Sequence, residues 1–185
     1  MKERPIIFTS ESVRAILDGR KTQTRRALKY PLGGDVTSHI TTYRPRACPY
    51  GAPGDRLWMR ETWGEHLRSG GVVFKEVYQR KNIDDSDVDW RSPIFMPRWA
   101  SRLMLTITSV RVERVQEISE ADAKAEGIER INDHPHWGWK DYTGNGQDLS
   151  PIMSYQSLWD SLNSKRGYSW ASNCFVWVLT FEVAK

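Results

Sequence analysis

Hydrophobic residues in this chain follow two different periods, one typical of strands and one typical of short helices. Apolar residues alternate along 103–112 and, strictly, along 175–183, which predicts two long half-buried strands. The alternation changes parity after Ile107, and such a change indicates a β-bulge or a bend. Shorter apolar runs predict three more strands, at 5–9, 56–63 and 71–78.

Three segments have helical spacing and a hydroxyl residue suited to cap the first turn. The predicted N-caps are Ser10, Ser119 and Ser150, the last of which is followed by Pro151 at the first helical position. The first two helices are expected to end at Gly19 and Gly127, and the apolar stripe of the third extends to Leu162. Residues 31–54 and 128–149 show no clear period and are predicted to be loops. Several twisted strands with a few short helices favour the α+β class, arranged as a small, partly closed β-barrel.

Length and composition indicate one intracellular domain. A length of 185 residues fits a single domain, which spans residues 1–185 and carries insertions near 64–98 and 128–149. No apolar run is long enough to span a membrane, and the run after the N-terminus is too short for a signal peptide. Cys48 and Cys174 make no disulfide framework. We therefore expect a cytoplasmic protein that does not associate with membranes, and no protein partner is predictable.

Positive charge is concentrated in the first third of the chain. Residues 1–60 hold 12 Lys and Arg against 5 Asp and Glu, whereas residues 61–185 hold 15 against 18. A one-sided basic surface is typical of proteins that bind nucleic acid, and it also occurs as a solvated face that aids solubility. Charge alone leaves both interpretations open.

The basic segment from Gly19 to Arg26 combines the residue types needed for chemistry on a nucleoside. Lys21 is a candidate base, Thr24 a candidate nucleophile, and the neighbouring arginines are candidate phosphate ligands. Residues three apart point to opposite faces of a strand, so Lys21 and Thr24 converge only if the chain bends after Gly19. A glycine at the helix end permits such a bend.

Motifs along nearly the whole chain resemble the ASCH domain family, which has the PUA-like β-barrel. The segments that carry the resemblance are Gly19 to Arg25, Pro53 to Trp58, Ile118 to Gly127 and the closing hydrophobic strand. Further segments, which begin at Cys48, Met96 and Leu158, are similar to those of ASCH proteins encoded by phages and prophages.

The resemblance implies a catalytic set. A bacterial member of the superfamily hydrolyses N4-acetylcytidine with a lysine, a threonine three residues later, and a glutamate from a later helix. The matching positions are Lys21, Thr24 and Glu126. Other members bind RNA or act as ribonucleases, so RNA binding and RNA cleavage are the alternatives.

The three residues suit acyl transfer, although each also has a simpler interpretation. A lysine becomes a base when burial or nearby cations lower its pKa, and Glu126 lies where a helix end disfavours negative charge, as suits a proton donor. Taken singly, Lys21 is compatible with a plain phosphate contact, Thr24 with a strand residue, and Glu126 with a surface position.

The remaining predictions concern the partner. Six of the nine arginines of the first sixty residues are expected to surround the cleft: Arg20, Arg25, Arg26, Arg44, Arg46 and Arg60. Trp58, Trp63 and Trp99 are expected to stack a base or to pack in the core. The expected partner is a modified nucleoside or RNA. We expect no metal and no other cofactor, since His39, His66, His134, His136 and the two cysteines lack zinc-site spacing.

Overall fold

The described part of the chain consists of short helices and strands. The computed structural model describes residues 1–28, 48–131, 138–144, 146–148 and 150–184. The helices of this part are α1 (Ser10–Leu17), α2 (Lys75–Lys81), α3 (Glu120–Ala125) and α4 (Pro151–Asn163). Its strands are β1 (Glu3–Ile7), β2 (Gln23–Ala27), β3 (Arg56–Arg60), β4 (Trp63–His66), β5 (Val72–Phe74), β6 (Val88–Arg91), β7 (Met104–Arg114), β8 (Arg130–Ile131), β9 (Gly138–Lys140), β10 (Gln147–Asp148) and β11 (Phe175–Val183). Within these residues, none of the helices is both long and apolar enough to cross a lipid bilayer.

The main sheet has five strands in the order β1-β3-β7-β11-β2. β1 pairs with β3 in parallel, and the other neighbours are antiparallel. Thr180 of β11 pairs with Ser109 and Phe181 pairs with Ile107, which leaves Thr108 without an opposing residue. This irregularity confirms the bulge that the change of parity predicts.

The α+β class is confirmed, but strand pairing among the described residues does not close a barrel. β1 and β2 are the two edges of the main sheet. A side chain joins these edges instead, since Nη2 of Arg26 donates to the carbonyl oxygen of Ile7 at 2.6 Å. The sheet is therefore open between β1 and β2.

Alternation along β11 separates two hydrophobic cores. Trp177, Leu179 and Phe181 pack with α1, β3 and β7 on one side. Val176 and Val178 pack with α3 and α4 on the other. Because both faces of β11 are buried, this strand is apolar along most of its length.

Local capping confirms two of the three predicted helix starts. Ser119 accepts from the N–H of Asp122, and Ser150 accepts from the N–H of Met153. For α1 the prediction is wrong by one residue, because Thr9 is the cap and its hydroxyl accepts from the N–H of Ser12.

Two predicted segments differ from the structure. The apolar run 71–78 forms the three-residue strand β5 followed by α2, because Glu76 is buried against Arg102 and Arg80 and Lys81 suit the last helical turn. The apolar residues of such a short run do not distinguish strand from helix. The predicted loop 128–149 contains the small antiparallel sheet β8-β9-β10.

Candidate functional site

A cleft lined by described residues lies in the gap between the two edges of the main sheet. Its volume is about 570 Å³. One wall is β1 with the turn into α1, and the opposite wall is β2. α4 and the following turn, Ser164–Arg166, border the same space, as do Arg60 and Pro93. The open sheet therefore provides the site, since pairing of β1 with β2 would fill it.

Lys21 reaches this cleft because the chain reverses after α1. Gly19 adopts a φ of +73°, a conformation that favours glycine, and the N–H of Lys21 then donates to the carbonyl of Ala15 at 2.9 Å. A single antiparallel bridge pairs Lys21 with Glu126. This bend precedes β2, so Lys21 and Thr24 both line the cleft despite their spacing of three.

Lys21 and Glu126 form a buried ion pair at the base of the cleft. Nζ of Lys21 donates to Oε2 and to the backbone carbonyl of Glu126, each at 2.8 Å. Both side chains are only 4% exposed. Glu126 is the C-terminal cap of α3, and its two carboxylate oxygens contact Lys21 and Arg25.

Burial dominates the ionisation of Lys21. Removal of the ammonium from water lowers its pKa, and the neighbouring carboxylate of Glu126 opposes that shift without outweighing it. The neutral amine, which can accept a proton, therefore forms at lower pH than in a lysine surrounded by water.

Thr24 lines the cleft from the first half of β2 and is buried. Its backbone pairs with Leu179 of β11, which holds the residue in a regular strand. No described residue forms a hydrogen bond with its hydroxyl, and Nζ of Lys21 is occupied by Glu126. No hydrogen bond therefore joins the hydroxyl of Thr24 to Nζ of Lys21 in this structure.

Arg25, which the sequence predicts to contact substrate, borders the cleft with its donors bound to protein groups. Its side chain is fully buried and binds three carboxylates: Nη1 lies 3.2 Å from Glu126, Nη2 lies 3.0 Å from Asp122, and Nη2 and Nε also bind Glu113. Although Arg25 borders the cleft, these partners occupy its donors, so it orients Glu126 and contributes little free positive charge.

The other predicted arginines are divided between the cleft and its surroundings. Arg26 and Arg60 line the cleft. Arg20 is exposed beside it and donates to the carbonyl of Gly127 at 3.0 Å and to Asp18. Arg44 and Arg46 lie outside the described residues. Of the basic surface inferred from the sequence, Arg25, Arg26 and Arg60 thus lie in the cleft wall, and the charge of Arg25 is balanced there by carboxylates.

None of the three predicted tryptophans lines the cleft. Trp58 and Trp63 are buried, where apolar burial accounts for them. Trp99 is 69% exposed and makes an edge-to-face contact with Trp63 at a centroid distance of 6.1 Å. The arginine side chains of Arg60 and Arg91 lie over the rings of Trp58 and Trp63, respectively.

The aromatic residues of the cleft are ones that sequence reasoning missed: Phe8, Tyr50, Tyr155 and Trp159. Lys21 and Arg26 both lie over the ring of Phe8, at 5.9 and 5.1 Å from its centroid. Burial and the charge of Glu126 raise the pKa of Tyr155 well above its usual value, so this hydroxyl stays protonated. Tyr155 has a sequence signal, because it belongs to the predicted apolar stripe of α4.

Within the described ranges, no three His, Cys, Asp or Glu side chains are grouped so that they could hold a metal ion. His39, His134 and His136 lie outside those ranges.

Comparison with known proteins adds little beyond two distant structural similarities. No protein-family model and no curated protein matches the chain. It is similar to an ASCH domain from Lactobacillus crispatus, with 12% identity and a TM-score of 0.45 over 98% of this chain and 79% of that one. It is also similar to a DUF984 protein from Enterococcus faecalis, with 13% identity and a TM-score of 0.43 over 100% of this chain and 76% of that one. Any assignment of function therefore depends on the residues of the cleft.

Proposed function

We propose that this chain is a single-domain, cytoplasmic ASCH protein of the phage and prophage type, and that it hydrolyses the amide of an N4-acylated cytosine. The observation that supports this most directly is the 2.8 Å contact between Lys21 and Glu126 in a buried cleft that Thr24 also lines. A base, an acid and a hydroxyl in one cleft of about 570 Å³ suit acyl transfer on a ligand of nucleoside size. In this proposal, the open gap between β1 and β2 corresponds to the mouth of a PUA-like barrel.

In the proposed reaction Thr24 is the nucleophile. Its hydroxyl oxygen attacks the acyl carbon while the neutral amine of Lys21 accepts the hydroxyl proton. The bond between the acyl carbon and N4 then breaks, and a proton from the Lys21–Glu126 pair is delivered to the leaving amine. Water hydrolyses the resulting threonine ester, which releases the carboxylic acid and restores the hydroxyl.

Two features of the cleft support these roles. Burial lowers the pKa of Lys21, which increases the fraction of amine able to accept a proton near neutral pH. Arg25 and Lys21 bind the two different oxygens of Glu126, so the carboxylate is held in one orientation. A protonated Tyr155 and the ring of Phe8 offer a donor and an apolar surface to a base.

Thr24 variants give the sharpest test. We expect Thr24→Val, which keeps the shape and removes the hydroxyl, to abolish single-turnover hydrolysis of N4-acetylcytidine, and Thr24→Ser to retain it. Circular dichroism controls for folding. Full activity in Thr24→Val contradicts a covalent threonine step and favours a water activated by Lys21 and Glu126. An inactive wild type across a panel of N4-acylated cytidines and cytosines contradicts the hydrolase proposal.

RNA binding without catalysis is the second candidate, and the surface beside the cleft favours it. Phe95 and Trp99 are 74% and 69% exposed, and Arg60, Arg91 and Arg98 lie near the same segment. Exposed aromatic rings beside arginines are typical of surfaces that stack single-stranded bases. This candidate predicts that Trp99→Ala weakens binding of an oligoribonucleotide, measured by fluorescence anisotropy. The affinity should also fall steeply with salt.

A further inference from the structure

The charges at the base of the cleft balance one another. Three cations and three carboxylates form one connected network there: Lys21, Arg25 and Arg111 with Glu113, Asp122 and Glu126. Each member contacts at least one member of opposite charge. The network leaves no excess charge for a ligand, so attraction of an ionic ligand must come from other residues.

Three further arginines line the same cleft and are not balanced. Arg26, Arg60 and Arg166 all border it, and none forms an ion pair with a carboxylate of the described residues. Arg26 donates to the carbonyl of Ile7, and Arg60 donates to the carbonyl of Ile94 at 3.1 Å. These single contacts to neutral oxygens leave most guanidinium donors of both residues available.

One donor of each of these two residues is not open to a ligand. The Nε atoms of Arg26 and Arg60 are inaccessible to solvent and form no hydrogen bond. The donors that can meet a ligand in the cleft are therefore those of the terminal guanidinium nitrogens.

Arg26 and Arg166 also repel each other. Burial is the main cause that lowers the pKa of Arg26, and the charge of Arg166 adds to this shift, whereas Tyr50, Glu126 and Tyr155 oppose it. Like charges held together without a carboxylate partner are typical of sites that receive an anion. The planar guanidinium fork matches the oxygens of a phosphate group in particular.

We propose that Arg26, Arg60 and Arg166 form a phosphate subsite, so that the ligand of this cleft is a phosphorylated nucleoside and not a free one. The phosphate part depends only on the three arginines, whereas the nucleoside part depends on the proposed function. A phosphate at this subsite and a cytosine near Lys21, Thr24 and Glu126 occupy different parts of one cleft. The source of the phosphate is either a mononucleotide or the backbone of RNA.

Calorimetric titration of the full chain with unmodified ligands tests this proposal without any need for turnover. The probes are cytidine, cytidine 5′-monophosphate and inorganic phosphate. We expect the monophosphate to bind at least about tenfold more tightly than cytidine, because it adds charge-assisted hydrogen bonds. Equal affinity for cytidine and its monophosphate overturns the proposal, and so does absence of binding by all three probes.

Arg166→Gln is the informative variant because Arg166 is exposed and its loss does not disturb the core. Lys165→Gln is the matched control, since Lys165 is exposed in the same turn and lies outside the cleft wall. We expect Arg166→Gln to weaken the monophosphate about fivefold or more and to leave cytidine unchanged, while Lys165→Gln changes neither. An equal effect of the two variants shows general electrostatic attraction and contradicts a defined subsite.

A fourth probe, a short cytidine oligonucleotide, distinguishes the two sources of phosphate. RNA is supported as the source if the oligonucleotide binds more tightly than the monophosphate and if the salt dependence of its affinity corresponds to more than one phosphate contact. Tighter binding of the monophosphate supports a mononucleotide. Binding of phosphate and of the monophosphate with equal affinity supports the subsite but contradicts the nucleoside part of the proposed function. Failure of the subsite is thus separable from failure of the proposed function.

Discussion

Nζ of Lys21 lies 2.8 Å from Oε2 of Glu126, and 105 residues of chain separate the two. Both groups are almost completely buried, and Arg25 binds the second oxygen of the same carboxylate at 3.2 Å. Removal of Glu126 leaves the buried ammonium of Lys21 without an opposite charge, whereas removal of Lys21 leaves Glu126 with Arg25 alone, a cation that it shares with Glu113 and Asp122.

Lys21→Met and Glu126→Gln should each lower the free energy of unfolding, by about 3 kcal/mol for a buried pair. The double variant should lose less than the sum, because neither orphaned charge remains. Chemical denaturation of the four proteins of this cycle measures the coupling. Losses that add to within about 0.5 kcal/mol mean that the pair is not coupled in solution.

Arg25→Lys should be strongly destabilising, although it conserves charge. Arg25 is 0% exposed and contacts three carboxylates from different directions, which an ammonium cannot do with the same geometry. We expect a loss of about 3 kcal/mol in the free energy of unfolding. Arg111→Lys is the matched control, since Arg111 is 40% exposed and contacts two of the same carboxylates, and its loss should stay below about 1 kcal/mol. Similar losses in the two variants contradict the central position of Arg25.

Gly127→Ala should disturb Lys21 directly. Gly127 has a φ of +83°, and a Cβ built there lies 2.7 Å from Cβ of Lys21 and 2.9 Å from Cβ of Ala15. Gly167 has the same φ of +83°, and a Cβ built there meets nothing within 4 Å. Gly167→Ala therefore measures the cost of the backbone conformation without a steric contact.

Gly167→Ala should therefore show only the backbone cost of about 1 kcal/mol, and Gly127→Ala should lose clearly more. Gly127→Ala should also weaken ligand binding or turnover at the cleft, whereas Gly167→Ala should not. Thermal unfolding and titration of the two variants provide the comparison. Equal stability losses show that the chain near Lys21 shifts without cost.

The pH dependence of hydrolysis should reflect Lys21. Its pKa in the folded protein lies below the ordinary value of 10.5, mainly because of burial. The neutral amine forms as pH rises through the folded-state pKa, so kcat/KM should rise with pH and level off below pH 10.5.

The free energy of unfolding should change with pH in the same direction as the rate. Between the folded-state pKa of Lys21 and 10.5 the unfolded chain binds more protons, so the contribution of Lys21 to stability increases as pH rises. Lys21→Met should remove both effects, as measured by pH–rate profiles and by denaturation at several pH values. A rate that falls with rising pH, or an unchanged profile in Lys21→Met, contradicts the role of Lys21 as base.

The sequence by itself determined the parts of this protein that depend on local chemistry. Alternation predicted β7 and β11 with the bulge beside Ile107, and the capping residues Ser119 and Ser150 predicted the starts of α3 and α4. These features follow from period and hydrogen bonding within a few residues. The bend after Gly19, which brings Lys21 and Thr24 to one cleft, is of the same kind.

Only the tertiary structure decided which charged and aromatic residues face the cleft. Arg25 and Arg26 are adjacent in sequence, but opposite faces of β2 put Arg25 among three carboxylates and leave Arg26 without a carboxylate partner in the described chain. Trp58 and Trp63 pack in the interior and Trp99 is exposed outside the cleft lining, while Phe8 and Tyr155 line the cleft. The reason is physical: pairing of charges and burial of rings depend on elements far apart in the chain, and only the folded sheet brings its edges β1 and β2 to either side of one cavity.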